Sequence, residues 1–214
     1  MKQVSAFDLD HTLVHTNSSL LFYRYLISKG LYSHFNLFKT AFYSFRHYLF
    51  NLSLTDLHRK AFDGFLKGVS LSFVQEEVRN FLSRDFHKYL YLPAFERLRL
   101  AQHQGEYTII LSNAPSFIVG PIAEFLEVNE WYSSHYNVDK QGRFESVDSI
   151  LLGEDKAKFI KGLMKKFNIP KSQITAYSDS DLDLPFLKSA GRPIAANPNS
   201  RLLKVSKKKS WEVI

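Results

Sequence analysis

Two carboxylates stand two residues apart near the start of the chain, Asp8 and Asp10, in the run Val4-Ser5-Ala6-Phe7-Asp8-Leu9-Asp10-His11-Thr12-Leu13. The apolar half of that run reads as a short buried strand. Carboxylates at the end of a core strand are costly to desolvate without a partner, so the pair asks for positive charge, most simply a divalent cation. One carboxylate could then attack phosphorus while its neighbour moves protons. Later residues offer matching chemistry: Ser112 and Asn113 after an apolar run, then Lys156, then Asp179-Ser180-Asp181-Leu182-Asp183. Each has a plainer reading when taken alone. Asp8 and Asp10 would suit a solvated loop or a helix N-cap, Ser112 a turn, and Lys156 an ordinary surface lysine. The three later aspartates would suit a calcium loop, except that no glutamate follows at the EF-hand spacing.

The elements that must position these groups follow from the hydrophobic pattern. Tyr107-Thr108-Ile109-Ile110-Leu111 and Ile174-Thr175-Ala176-Tyr177 read as buried strands, and Ile194-Ala195-Ala196 as a shorter one. Helical stretches lie between them. One covers 94–104, one carries Ile118, Val119, Ile122, Ala123 and Leu126, and one carries Ala157, Ile160, Met164 and Phe167 before Pro170. Asp139-Lys140-Gln141-Gly142 reads as a hairpin turn between residues 131–138 and Arg143-Phe144. Strand-helix alternation predicts an α/β fold with a parallel, doubly wound sheet, whose ligands bind outside the carboxyl ends of the strands. Asp8/Asp10, Ser112/Asn113 and Asp179/Asp183 all fall at such ends. Residues 18–92 are different, being aromatic and helical with no good strand. Helices are predicted from Leu20 to Ile27, from Phe35 to Leu52, from an N-cap near Thr55 through Phe65, and from Ser72 to Leu90. The segment reads as a lid over the same sheet edge, giving a core of residues 1–16 and 93–214 and an insertion of 17–92. Closure of the lid is expected to hinge near Asn17 and Leu92-Pro93.

The 214 residues include 28 Lys and Arg against 21 Asp and Glu, a net charge of +7. This charge suits steering of an anionic substrate, or simply a solvated basic surface. The lysines at 204 and 207–209 read as a soluble terminus. With no cysteine, disulfides, thiolate metal sites and cysteine nucleophiles are excluded. The N-terminus runs straight into the motif strand with no apolar leader, which fits a cytoplasmic protein.

Four motifs in order resemble the haloacid dehalogenase-like phosphatase superfamily, in its subgroup related to phosphoserine phosphatase. They are Asp8-Leu9-Asp10-His11-Thr12, Leu111-Ser112-Asn113, Lys156 within Gly153-Glu154-Asp155-Lys156, and Ser178-Asp179-Ser180-Asp181-Leu182-Asp183. The resemblance spans essentially the whole chain. It implies a Rossmann-like three-layer core with an inserted α-helical (C1-type) cap, and Mg2+-dependent hydrolysis of a small phosphorylated metabolite through an aspartyl-phosphate. Asp8 would be the nucleophile. Asp10 would be the acid-base group. Asp8, the backbone carbonyl of Asp10 and Asp179 would hold Mg2+. Ser112 and the amide of Asn113 would bind phosphoryl oxygens, Lys156 would add a full positive charge there, and Asp183 would orient the metal and Lys156 from behind. His11 falls at a variable position and is given no role.

Three departures qualify that resemblance. Leu182 replaces a frequent asparagine, which Asp181 or water would have to replace, and Ser178 replaces a frequent glycine. Asn17 stands near the place of the glutamate that grips the amine of phosphoserine, so phosphoserine is disfavoured as substrate. The insertion interleaves Phe22, Tyr23, Tyr25, Tyr32, Phe35, Phe38, Phe42, Tyr43, Phe45, Tyr48 and Phe50 with Arg24, Lys29, Lys39 and Arg46. Its aromatics would serve helix packing, an apolar slot for a hydrophobic leaving group, or peripheral membrane contact. Charges interrupt it too often for a membrane span. A phosphotransferase would use the same residues, and a non-catalytic protein binding anionic membranes or nucleic acid would share the charge. The chain has no recognisable nucleic-acid motif, and its complete set of catalytic residues favours the enzyme.

Overall fold

Val4, Ser5, Ala6 and Phe7 are all buried and form β1 (Val4–Phe7), the middle strand of a seven-stranded sheet. The computed structural model describes residues 2–32 and 54–214. The other strands are β2 (Tyr107–Pro115), β3 (Glu130–Val138), β4 (Phe144–Ser149), β5 (Ile174–Ser178), β6 (Arg192–Ala195) and β7 (Glu212–Val213). Their order is β4-β3-β2-β1-β5-β6-β7, parallel throughout except for the antiparallel β3–β4 hairpin. β1 is flanked on both sides, Phe7 aligning with Ile110 on β2 and with Tyr177 on β5. The rings of Phe7 and Tyr177 stack at 4.2 Å.

Side chains alternate across the sheet as strand geometry requires. Val4, Ala6, Ile109 and Leu111 pack on one face with Ile160 and Leu163 of α6 (Gly153–Phe167), Phe186 and Leu187 of α7 (Leu184–Ser189), and Leu202 of α8 (Ser200–Lys209). Phe7, Ile110 and Tyr177 pack on the other with Leu98 of α4 (Leu92–His103) and with Ile118 and Ile122 of α5 (Ser116–Phe125). The result is a three-layer α/β core.

α1 (Ser18–Ser28), α2 (Leu54–Phe65) and α3 (Leu71–Asp85) stand between β1 and α4 in the chain. The helix expected from Phe35 to Leu52 lies outside the described residues, as do the aromatic and basic residues there. α2 already includes Leu54, so Thr55 sits in its first turn and is not its N-cap. α3 gives way at Phe86 to a short 3-10 turn ending at Tyr89, earlier than the single helix expected to Leu90. The two chain crossings into this segment pair with each other. Val14 and Leu90 form an antiparallel bridge, with hydrogen bonds from His15 N to Tyr89 O and from Tyr91 N to Leu13 O. The β3–β4 hairpin also docks on residues 68–71. Gly68 N donates to Phe144 O, Phe144 N to Val69 O and Leu71 N to Gly142 O, with Gly68 in the left-handed region at φ +78°.

The C-terminus corrects one expectation. The lysines of 204–209 are exposed, but they ride on a helix whose Leu202 and Ser206 are buried, and β7 then pairs in parallel with β6. Glu212 is gripped there by Arg97 and Arg192. A free terminus would tolerate truncation of Leu202. Here Leu202→Ala is expected to cost about 2–4 kcal/mol of unfolding free energy, read as a lowered midpoint in urea with unchanged slope.

Candidate functional site

Asp8 follows directly on β1, and its amide still bonds to the sheet through Tyr177 O at 2.9 Å. Its carboxylate is buried at 6% exposure, and Oδ1 accepts from Lys156 Nζ at 2.7 Å. The same ammonium reaches Asp183 Oδ2 at 2.7 Å, and the hydroxyl of Ser178 donates to that oxygen at 2.8 Å. Three elements therefore meet on one buried cation: β1 brings Asp8, the end of β5 brings Ser178 and Asp183, and the first turn of α6 brings Lys156. Gly153 makes the last approach feasible, because a Cβ there would lie 2.4 Å from the Leu182 carbonyl oxygen.

Burial alone would lower the Lys156 pKa, but the two carboxylates outweigh it and hold it above its ordinary value. Burial pushes Asp8 up to about 7 against the pull of Lys156. Asp179 is driven up to about 8 by burial and by the charges of Asp8 and Asp183. Two carboxylates share one ammonium and Asp179 stands close enough to feel both, a donor set short of positive charge and built of hard oxygens, which fits a divalent cation such as Mg2+. Among the described residues no three acidic or histidine side chains make a ready metal cage. A cation here would rest on Asp8, Asp179, a backbone carbonyl and water. The hydroxyl of Thr12 lies 3.4 Å from Asp179 Oδ1 as a donor.

Asp10 lies in a different environment. Its Oδ1 accepts from the Ser18 amide at 2.8 Å and its Oδ2 from the Asn17 side-chain amide at 2.8 Å. Among the described residues no lysine hydrogen-bonds to it. Burial raises its pKa, opposed by the hydrogen bonds from Ser18. Asn17 is also the N-cap of α1, its Oδ1 accepting from Leu20 N at 2.9 Å. That double use was missed in the sequence, where Asn17 stood out for the charge it lacks. The loop holding Asp10 is wound tightly, with the Leu9 carbonyl accepting from the amides of Thr12, Leu13 and Val14. His11 takes φ +60° there, and its carbonyl accepts from Asn197 Nδ2.

A polar cavity of about 1020 Å³ joins Asp8, Asp10, Asn113, Asp179 and Asp183 at the carboxyl edge of the sheet. Lys156 and Ser112 lie beneath it, 1% and 0% exposed. β2 continues past Leu111 to Pro115, with its register against β3 shifting between Ser112 and Pro115, so Ser112 sits within the strand. Its Oγ accepts from Ala114 N at 3.1 Å. Leu182 is 61% exposed. Asp181 lines the cavity, its carboxylate accepting from Asn199 Nδ2 at 2.8 Å and facing Arg201 at 3.7 Å. Ser178, noted in the sequence only as a replacement for glycine, holds Asp183.

Comparison with known proteins agrees with this architecture. A family model described as haloacid dehalogenase-like hydrolase matches residues 6–188. A histidinol-phosphatase of Neisseria meningitidis serogroup C (strain 8013) is 27% identical, the match covering 100% of this chain and 99% of the relative. The crystal structure of a protein of unknown function from Bordetella pertussis Tohama I superposes with a TM-score of 0.86 at 21% identity, covering 100% and 99% of the two chains. A substrate-bound phosphoserine phosphatase superposes at 0.72 with 18% identity, covering 100% and 93%. At those identities the two structural matches speak to the fold.

The dual bonding of Asn17 yields a separable prediction. Asn17→Ser keeps an N-cap acceptor but is too short to span both Leu20 N and Asp10. It is expected to lower kcat about tenfold with stability nearly unchanged, whereas Asn17→Ala should lose a similar factor and about 1 kcal/mol of stability as well. Steady-state kinetics and urea melts of the two variants check the split.

Proposed function

The chain belongs to the haloacid dehalogenase-like hydrolase family, and we propose that it is a Mg2+-dependent phosphomonoesterase in which Asp8 is the nucleophile. The observation that carries this reading is the Lys156 ammonium clamped between Asp8 and Asp183 under a polar cavity that Asp10 and Asp179 also line. Lys156 holds the Asp8 carboxylate in one orientation and opposes the upward push of burial on it. Asp8 attacks phosphorus, the bond to the leaving oxygen breaks, and Asp10 delivers its proton to that oxygen. The buried, raised carboxyl of Asp10 suits it to carry that proton. Asp10, now ionised, takes a proton from water, which attacks phosphorus and returns Asp8 as a carboxylate with release of phosphate.

Ser112 and the backbone amide of Asn113 are assigned to the phosphoryl oxygens, together with the Lys156 charge. Asp8, the carbonyl of Asp10 and Asp179 would hold Mg2+, with Asp183 behind them. When bound, Mg2+ supplies positive charge beside the phosphoryl oxygens and the attacking carboxylate. Residues 17–92 are assigned to a lid over the cavity, joined to the core by the paired neck at Val14 and Leu90. The substrate is a small phosphorylated metabolite in the cytoplasm. No helix of the described residues is long and apolar enough to cross a membrane. The name of the Neisseria relative gives a second reading of the substrate, histidinol phosphate.

The test is hydrolysis of a generic aryl phosphate. Turnover should require Mg2+, vanish with a chelator and return on adding Mg2+ back. Asp8→Asn should lower kcat about a thousandfold or more, and Asp10→Asn should slow substrates with poor leaving groups more than the aryl ester. Metal-independent turnover, or full activity of Asp8→Asn, contradicts the proposal.

A further inference from the structure

Beyond Asp10, a second cavity of about 310 Å³ runs between the insertion and the core. It is continuous with the polar cavity, both being lined by Asp10, Asn17, Leu57, His58 and Asn113. Its walls come from Phe22 and Leu26 of α1, Phe62 and Phe65 of α2, and Phe117 and Ile118 of α5. We propose that this cavity is the leaving-group subsite and that it takes an uncharged, predominantly apolar alcohol. The inference rests on the phosphomonoesterase reading and adds the substrate class to it.

The position of the cavity carries the first part of the argument. Asp10 stands at its mouth, and in the proposed reaction Asp10 gives its proton to the departing oxygen. In-line displacement puts the group attached to that oxygen across phosphorus from Asp8, on the side where Asp10 stands and the cavity opens.

The lining carries the second part. Among the described residues that line the cavity, Asp10 is the one carboxylate, and no lysine or arginine joins it. Of its polar wall groups, His58 is bonded through Nδ1 to the Tyr136 hydroxyl at 2.8 Å. Burial holds that imidazole down to about 4, so it is neutral at pH 7. Asn17 at the mouth has its carbonyl oxygen on Leu20 N and its amide on Asp10. Among the described lining residues, an amino acid or amino alcohol placed beyond Asp10 would leave its ammonium or carboxylate desolvated against rings with no counter-charge beside it. An aromatic or aliphatic group would trade water for apolar contact. An apolar protein cavity of about 150 Å³ accepts benzene, so the space here fits a fused ring pair or a medium alkyl chain.

The experiment uses the full chain with Mg2+ and a series of primary alkyl phosphates from methyl to decyl, with naphthyl phosphate, phosphoserine and histidinol phosphate alongside. kcat/KM is expected to rise about two- to fourfold for each added methylene until the cavity is full, with both amine-bearing phosphates at least tenfold below the best alkyl ester. Ala61→Trp, which introduces bulk from α2, should flatten the chain-length dependence. Calorimetric binding of octanol and naphthol to Asp8→Asn reads the subsite without turnover, and saturable binding weakened by Ala61→Trp is expected. Alcohol binding in a protein that hydrolyses none of the esters would keep the subsite and remove the phosphatase reading. Hydrolysis with a flat chain-length series and no alcohol binding would overturn the subsite while leaving the phosphatase, as would a preference for phosphoserine or histidinol phosphate.

Discussion

The charged cluster at the sheet edge depends on one buried ammonium. Lys156 is 1% exposed and bridges Asp8 and Asp183 at 2.7 Å each. Removing a charge from water costs several kcal/mol per ion, so such a cluster persists only where geometry and further hydrogen bonds compensate. The fold supplies both. The parallel pairing of β1 with β5 fixes Asp8 beside Ser178, whose hydroxyl turns Asp183 toward the lysine. The bare Cα of Gly153 lets α6 begin against the Leu182 carbonyl, so that Lys156 one turn later reaches across. Charge still does not balance, because Asp179 adds a third carboxyl group within electrostatic reach of Asp8 and Asp183. That imbalance is the physical reason a divalent cation fits the site.

Two aspartates only two residues apart are thereby given separate chemical characters. Asp8 bonds a cation, which favours its charged and nucleophilic form. Asp10 bonds neutral amides from Asn17 and Ser18 at the start of α1. The proposed acid is therefore held by the first residues of the insertion, whose helices also wall the apolar cavity. Substrate selection and proton delivery would then share one structural element. The β3–β4 hairpin supports that element from the other side, through its backbone bonds to residues 68–71 and through Tyr136 on His58 and Phe62.

Much of this was legible in the sequence because it was local. A four-residue apolar strand followed by Asp8 and Asp10, the run at Tyr107–Leu111 and the run at Ile174–Tyr177 all carry their pattern within a few residues. The in-order motifs then pointed to a family of known fold. What escaped was non-local or too short to carry a period. β7 is two residues long and is stabilised by arginines from α4 and β6. The hairpin docks through backbone atoms, which leave no trace in side-chain type. Asn17 and Ser178 are unremarkable polar residues until Asp10 and Asp183 are beside them.

The central claim is that the carboxylate held by Lys156 takes the phosphoryl group. Acid quenching during turnover of an aryl phosphate, followed by mass spectrometry of the peptides, tests it most directly. The account predicts a phosphoryl adduct confined to the peptide bearing Asp8, absent in Asp8→Asn and accumulating in Asp10→Asn, where water is no longer activated. Turnover with no adduct on that peptide, or an adduct on another residue that survives Asp8→Asn, would contradict it.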